Sequence, residues 1–392
     1  MEKEEFRDSL LQNLCANSKH YHVLEYATGV GKTKMALLKT RQLWSPLSKI
    51  LIVVPRLILI DNWKKEIGKW DLHFLLTNIS FVTYVSLYKK AGHYDIVIFD
   101  ECQHLSERCR ETLNSFTINN ALFLSATIRK EVKEYIRTKF GNSLNWVKVG
   151  TAKAISNKVL PTPKIILLPL NLNTSIKNCI YKKGKQRGTP IKIDYNQRWS
   201  YKDYKGPIEI RCTEAQYYEQ LSSMIEWYKR KSYTTIMRNL WLHKAGERIK
   251  WLAERKLPIT REIIKRIKNK RALVFCATIA QSESLNIPCV NSKVGTENLE
   301  KFNNKKTSKI SCVDMLNEGI NLTSCQIGVF DVLNASSIMQ IQKMGRILRH
   351  PHPIIIIPYF RNTRDNEILN NMLKNYDESL ITKLDSINDL KL

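Results

Sequence analysis

Short apolar runs of strand length recur along the chain, with helical stretches between them. In the first part they fall at residues 23–24, 50–54, 79–83, 95–99 and 121–124. A second set falls at 165–170, 272–275, 310–313, 327–330 and 354–357. Runs this rich in Val and Ile lack the alternation of a half-exposed strand. They predict strands covered on both faces, as in a parallel sheet flanked by helices. Two such sets predict an α/β chain of two lobes of one architectural type. Pro161 and Pro163, in VLPTPK, stand between the sets and mark the expected boundary: a first lobe over residues 1–160 and a second over 161–392.

Residues 171–270 break this rhythm and read as a basic, partly helical insert early in the second lobe. Its first third interleaves Tyr181, Lys182, Lys183, Lys185, Arg187, Lys192, Tyr195 and Trp199. Cations mixed with aromatic rings can neutralise phosphates and stack bases; the alternative is an exposed insert whose rings pack on the second lobe. The remainder carries Tyr217, Leu221, Ile225 and Tyr228 at spacings of three and four, which predicts a helix. The opening MEKEEFRDSLLQNL, charged and amphipathic, predicts a first helix rather than an export signal.

Two segments carry chemistry. ATGVGKT follows the first apolar run and opens a helical stretch, the setting a phosphate-binding loop requires. Gly29 and Gly31 let backbone N–H groups turn onto an anion with no Cβ in the way, and Thr28 and Val30 complete the loop. Lys32 is expected to reach the β- and γ-phosphates of ATP, and Thr33 to coordinate Mg²⁺. The general pattern asks for glycine where this chain has Tyr26. In DIVIFDECQHL, Asp100 and Glu101 follow a buried-looking strand, where an ATPase keeps its magnesium aspartate. Asp100 is expected to hold the metal, Glu101 to polarise water as general base, and Gln103 to bond that water or the γ-phosphate.

Charge adds a partner. Lys and Arg outnumber Asp and Glu by 63 to 36, a net +27 that points to a polyanion, most often nucleic acid. The nine cysteines form no C-x-x-C pair, which fits reduced thiols in a cytoplasm. Nothing approaches the ~20 uncharged apolar residues of a membrane span.

ATGVGKT, DECQ and the SAT of Ser125 to Thr127 resemble motifs I, II and III of superfamily 2 helicases, the DEAD/DEAH-box group. VVPRLILIDNW resembles motif Ia, ALVFCATIAQSESL motif IV, MLNEGINL motif V and QIQKMGRILRH motif VI. Seven segments in the right order make this far more specific than any one of them. DECQ is neither DEAD nor DEAH, so the box does not fix the subgroup, and no adenine-reading glutamine motif stands out beyond Gln12. The resemblance implies two RecA-like lobes that close on ATP, with Gln342, Arg346 and Arg349 completing the site from the second lobe. It implies backbone contacts to nucleic acid from Arg56 and Lys64 near motif Ia and from Asn321 and Thr323 around motif V. Lys182, Lys183, Lys185, Arg187 and Trp199 form a second candidate track. The expected activity is a monomeric, Mg-ATP-dependent helicase or translocase acting on DNA. An RNA helicase or remodelling ATPase, and a clamp or sensor with a decayed site, remain as alternatives.

Overall fold

A computed structural model of the chain describes residues 3–183, 189–195, 197, 206–291, 293–295, 297–313, 322, 324–334, 345, 347, 349–374 and 376–392. The first sheet has six strands: β1 (Tyr21–Tyr26), β2 (Ile50–Val54), β3 (Ile79–Thr83), β4 (Gly92–Asp100), β5 (Phe116–Ser125) and β6 (Leu144–Val149). They lie in the order β3-β2-β4-β5-β1-β6, and every ladder is parallel. Around them run α1 (Lys3–Ala16), α2 (Lys32–Leu43), α3 (Ile58–Lys69), α4 (Glu107–Thr112), α5 (Lys130–Phe140) and α6 (Thr151–Ser156). Alternate strand residues feed two cores. Ile50, Ile52, Ile96, Ile98 and Leu122 join one face, while Leu51, Val53, Val97, Phe99 and Phe123 join the other. The apolar runs are continuous because both faces are covered.

The second sheet begins with β7 (Lys164–Leu170). An insert follows: β8 (Cys179–Lys183), β9 (Ile191–Asp194) and β10 (Ile208–Cys212), then the helices α7 (Glu214–Arg230) and α8 (Thr235–Arg266). Strand β10 is central in a separate three-stranded sheet, antiparallel to β8 and parallel to β9. The main sheet resumes with β11 (Ala272–Phe275), α9 (Ile279–Ser284), β12 (Cys289–Val290), α10 (Glu297–Asn303), β13 (Lys309–Cys312), β14 (Ile327–Phe330), β15 (Ile354–Phe360), α11 (Arg364–Leu373) and β16 (Ile381–Lys383). Its order is β12-β13-β11-β14-β15-β7-β16, again with parallel ladders. Two parallel sheets with helices around them are the RecA-like pair the sequence implied.

Helix α7 starts on a capping box, in which Thr213 and Gln216 exchange side-chain bonds with each other's backbone N–H. Helix α8 changes character along its 32 residues. Its first half is half-buried or exposed, whereas Leu252, Ala253, Lys256, Thr260, Ile263 and Ile264 form a buried stripe at helical spacing. Pro258 sits on the exposed side of that half, where the missing N–H leaves its carbonyl partner open to water. The insert is therefore rooted in the second lobe by half a helix.

Candidate nucleotide site

Because β4, β5 and β1 are parallel neighbours, their C-terminal ends share one edge of the sheet. That edge brings together residues far apart in sequence: Glu25 stands beside Ser125, and Asp100 beside Leu124. The loop after β1, the acid pair after β4 and the turn after β5 are thereby neighbours, at the end of an open α/β sheet where ligands bind.

The loop is tied down from three sides. Ala27 N–H donates to the Val149 carbonyl at the end of β6 (2.8 Å), and Arg7 Nη2 on α1 donates to the Gly29 carbonyl (2.9 Å). Lys32 Nζ folds back to donate to the Tyr26 carbonyl (3.0 Å). Gly29 and Gly31 take φ of 92° and 112°, the left-handed region where a side chain would be strained. Gly31 is also the N-cap of α2 and supplies no side-chain acceptor, so that cap leaves its first N–H groups for an anion. Tyr26 is still the last residue of β1. Its ring is wholly buried in the core, its hydroxyl is buried without a partner, and that burial raises its pKa. The absent glycine is a strand position here, not a turn.

Asp100 closes β4 and accepts the indole N–H of Trp63 from α3 (2.9 Å), while Tyr84 Oη donates to its carbonyl (2.8 Å). Burial first, and then the charge of Glu101, push the Asp100 carboxyl up to about 7; the Trp63 bond and Lys32 pull the other way. It is nonetheless partly reachable by water, which describes the floor of a cleft rather than a sealed core. Glu101 adopts left-handed backbone (φ 49°), unusual for a residue with a Cβ. Gln103, buried, donates from Nε2 to Glu101 Oε2 (3.0 Å), and its Oε1 lies 2.5 Å from Ser125 Oγ. Ser125 Oγ in turn receives the Thr127 N–H (3.0 Å). Arg129 donates to the Gln103 carbonyl from Nη2 and Nε (2.5 and 3.1 Å). The Thr127 hydroxyl is buried and unpartnered.

The second lobe reaches this edge at two described points. Gly345 packs so tightly on the loop that a Cβ there would lie 2.5 Å from Thr28 Cβ. Arg349 is water-accessible yet has enough protein around it to lower its pKa, and Glu66 on α3 opposes that shift. Gln342 and Arg346 lie outside the described residues, as do Asn321, Thr323, Lys185, Arg187 and Trp199. Arg56 follows β2 at the same sheet edge, exposed beside exposed Leu57 and Ile58; Lys64 is exposed on α3. Lys182 and Lys183 are exposed on β8, and Lys182 pairs with Glu209 of β10 (3.4 Å).

Arg7, Arg129, Glu66 and the indole of Trp63 were not singled out from sequence. For Trp63 a signal existed. With Leu59 and Ile67 it recurs every four residues, the spacing of a buried helix face, and a buried indole N–H needs an acceptor. The site fits Mg-ATP by its chemistry. The Lys32 amine acts on the carboxylates of Asp100 and Glu101 beside an uncapped helix N-terminus, and the Asp100 carboxyl stays raised despite that lysine, a repulsion that a divalent cation would relieve.

Comparison with known proteins agrees with this geometry. Residues 2–73 match the family model for the type III restriction enzyme res subunit, and residues 255–351 match the helicase conserved C-terminal domain. These matches support a superfamily 2 helicase, an enzyme that hydrolyses ATP. A relative from Sulfurisphaera tokodaii, DNA 3'-5' translocase XPB2, is 24% identical over 363 residues, 83% of this chain and 74% of that protein. Among solved structures, S. cerevisiae Dbp5 bound to RNA and ADP BeF3 superposes with a TM-score of 0.59 at 12% identity, over 96% of this chain and 88% of that one. The ATP-dependent type ISP restriction-modification enzyme LlaBIII bound to DNA gives 0.54 at 14% identity, over 98% of this chain and 31% of that one. Among the described residues no helix is long and apolar enough to cross a membrane.

Proposed function

We propose that this chain couples Mg-ATP hydrolysis between its two lobes to movement along DNA. The observation that carries the reading is the contact of Gly345 with Thr28: the second lobe seats directly on the phosphate loop, with no room for a methyl group between them. Hydrolysis that depends on this closure converts chemistry into relative motion of two lobes. Bound Mg-ATP would supply the transferable phosphoryl group and the metal charge that offsets the carboxylates. Lys32, Thr33 and Asp100 would hold it, with the N–H groups of residues 28–33 around it. Glu101 acts as general base and Gln103 fixes its carboxylate through the 3.0 Å bond. Arg346 and Arg349 complete the charge from the second lobe, Arg349 standing across from α3. We place the division between lobes at residues 160/161, between the last strand of one sheet and the first of the other.

Arg56 and Lys64 extend the first-lobe edge as a phosphate track, and Lys182 and Lys183 form a second. DNA is favoured over RNA because the relative of higher sequence identity, 24%, is named a DNA translocase, and a DNA-bound neighbour shares the fold. The RNA-bound neighbour keeps an RNA helicase as the second reading. The enzyme works as a monomer in the cytoplasm, consistent with nine free thiols. The test is ATPase rate measured in parallel with single-stranded, duplex and forked DNA and with RNA. Stimulation by DNA above RNA supports the reading, and stimulation by RNA alone overturns the substrate. Arg349→Ala should slow turnover by about 10²-fold or more at near-constant ATP affinity. Equal losses in both would make Arg349 a ground-state contact.

A further inference from the structure

Helices α7 and α8 and strand β8 enclose a hollow of about 500 Å³ that no ATP motif touches. Three of these elements each send a ring into it: Tyr181 from β8, Tyr217 from α7 and Trp251 from α8. Tyr217 and Trp251 are stacked, with ring centroids 5.0 Å apart and planes 26° from parallel. Tyr181 meets Tyr217 edge-on at 6.5 Å. Phe99, Phe123 and Phe275, which cement strand to strand, are fully buried. Tyr181, Tyr217 and Trp251 remain half-exposed and border a space instead of filling it, although protein interiors are close-packed. The volume falls within the range of small-ligand sites.

The rim is mixed in charge, with lysines in excess. Lys182, Lys244 and Lys250 line the hollow beside Glu247 and Glu254, Lys182 and Lys244 are paired with Glu209 and Glu247, and Lys250 is exposed. Glu247 faces the same space, its carboxylate held by Lys244 Nζ (2.7 Å) and by His243 Nδ1 (3.3 Å). A fixed carboxylate beside aromatic rings suits a planar ring bearing an amino group, such as the exocyclic amine of cytosine or adenine. Lysines around it suit phosphates on either side.

We propose that this hollow receives one unpaired nucleobase of a bound single strand, stacked on the rings of Tyr181, Tyr217 and Trp251, with the flanking phosphates on Lys182 and Lys250. The proposal rests on the reading that the chain binds nucleic acid. It assigns to α7 and α8 a contact that their sequence pattern did not suggest. Because Trp251 immediately precedes the buried stripe of α8, a base held here is held by the second lobe.

The test uses the full chain. Iodopyrimidine-substituted single-stranded DNA is photocrosslinked and the attachment sites mapped, while affinities for single-stranded and duplex DNA are measured across salt. Attachment to Tyr181, Tyr217 or Trp251 is expected. Tyr217→Ala and Trp251→Ala should each weaken single-strand binding about tenfold, change duplex binding little, and leave the slope of log affinity on log salt unaltered, since stacking releases no counterions. Trp251→Phe should retain most of the affinity. Lys250→Ala, at an exposed position that cannot unfold the helices, should instead flatten the salt slope by about one ion. Variants that melt like the parent and bind single strands as it does, with crosslinks elsewhere, overturn the base site alone. A parent protein that binds neither single-stranded nor duplex DNA overturns the DNA reading itself.

Discussion

The two lobes each place an aspartate at the C-terminal end of a central strand, and the two are treated differently. Asp100 ends β4 and Asp331 follows β14; protein around them pushes both carboxyls up to about 7. Asp331 is sealed from water and its needs are met. Thr260 Oγ1 donates to it (2.6 Å), Gln281 Nε2 donates to it, and Lys256 Nζ bonds its carbonyl (3.0 Å) while pairing with Asp365 (2.7 Å). Asp100 is reachable by solvent, has Trp63 as its one side-chain donor among the described residues, and has a second acid as its neighbour. A raised pKa therefore does not separate a working acid from a structural one. What separates them is unmet demand: Asp331 anchors α8, whereas Asp100 has room and reason for a cation.

The largest expected effect lies beside Asp100. Glu101→Gln should cut ATP turnover by about 10²–10⁴-fold, because the amide cannot take a proton, while ATP binding persists. Steady-state ATPase with fluorescent-nucleotide titration checks it, and normal turnover removes Glu101 from the chemistry. Asp100→Asn breaks the comparison directly. It should lower turnover by about 10²-fold, more than the loss from disturbing an outer-shell group, and raise the Mg²⁺ concentration needed. Its melting temperature should hold or rise, since a repelled charge is removed. A large loss of stability would make Asp100 a second Asp331.

A smaller effect is expected where the lobes meet. Carbon atoms pack best at about 3.5–4.0 Å, so a Cβ at 2.5 Å from Thr28 must push the lobes apart. Gly345→Ala should reduce nucleic-acid-stimulated turnover about tenfold, because a misplacement near 1 Å is enough to cost that much. Full activity in this variant would mean that closure tolerates a wider gap than the contact implies.

How far the sequence carried the picture follows from the same physics. Strands β2, β11 and β14 were legible because burial on both faces leaves an unbroken apolar run. Strand β6 was missed. At the sheet edge it is half-exposed over Leu144–Val149, and LNWVKV mixes polar with apolar letters. The separate sheet of β8, β9 and β10 was missed for the same reason, since its strands mix buried with exposed positions. The ATP motifs were legible because a phosphate loop needs fixed residue types at fixed spacing, glycines at the left-handed positions 29 and 31 among them. Partners such as Trp63 for Asp100, or Gln281 and Lys256 for Asp331, were not. Each pairing joins elements tens of residues apart, and a single polar letter in an apolar stretch does not say what it faces.

The smallest expected effect on activity is also the sharpest test of the sealed acid. Asp331 is faced by Lys256 and Thr260 from α8, Gln281 from α9 and Asp365 from α11, and Lys256 pairs with the Asp365 carboxylate while bonding only the main-chain carbonyl of Asp331. Its folded pKa, about 7, stands above the ordinary carboxyl value of 3.8. Between those values the folded state holds a proton that the unfolded state has released. The stabilisation from that proton is fully present below the ordinary value and is lost as pH rises through the folded one, at up to about 1.4 kcal/mol per pH unit. Asp331→Asn is neutral at every pH and keeps an oxygen for Thr260. Its melting temperature relative to the parent should therefore climb from pH 5 to pH 8 by several degrees, roughly 2–4 °C per kcal/mol for lobes of this size. Turnover at saturating ATP should stay within about twofold, because Asp331 lies outside the site assigned to ATP. A constant difference in melting temperature across that range would show Asp331 ionised throughout. In that case the likeness to Asp100 would end at position in the sheet.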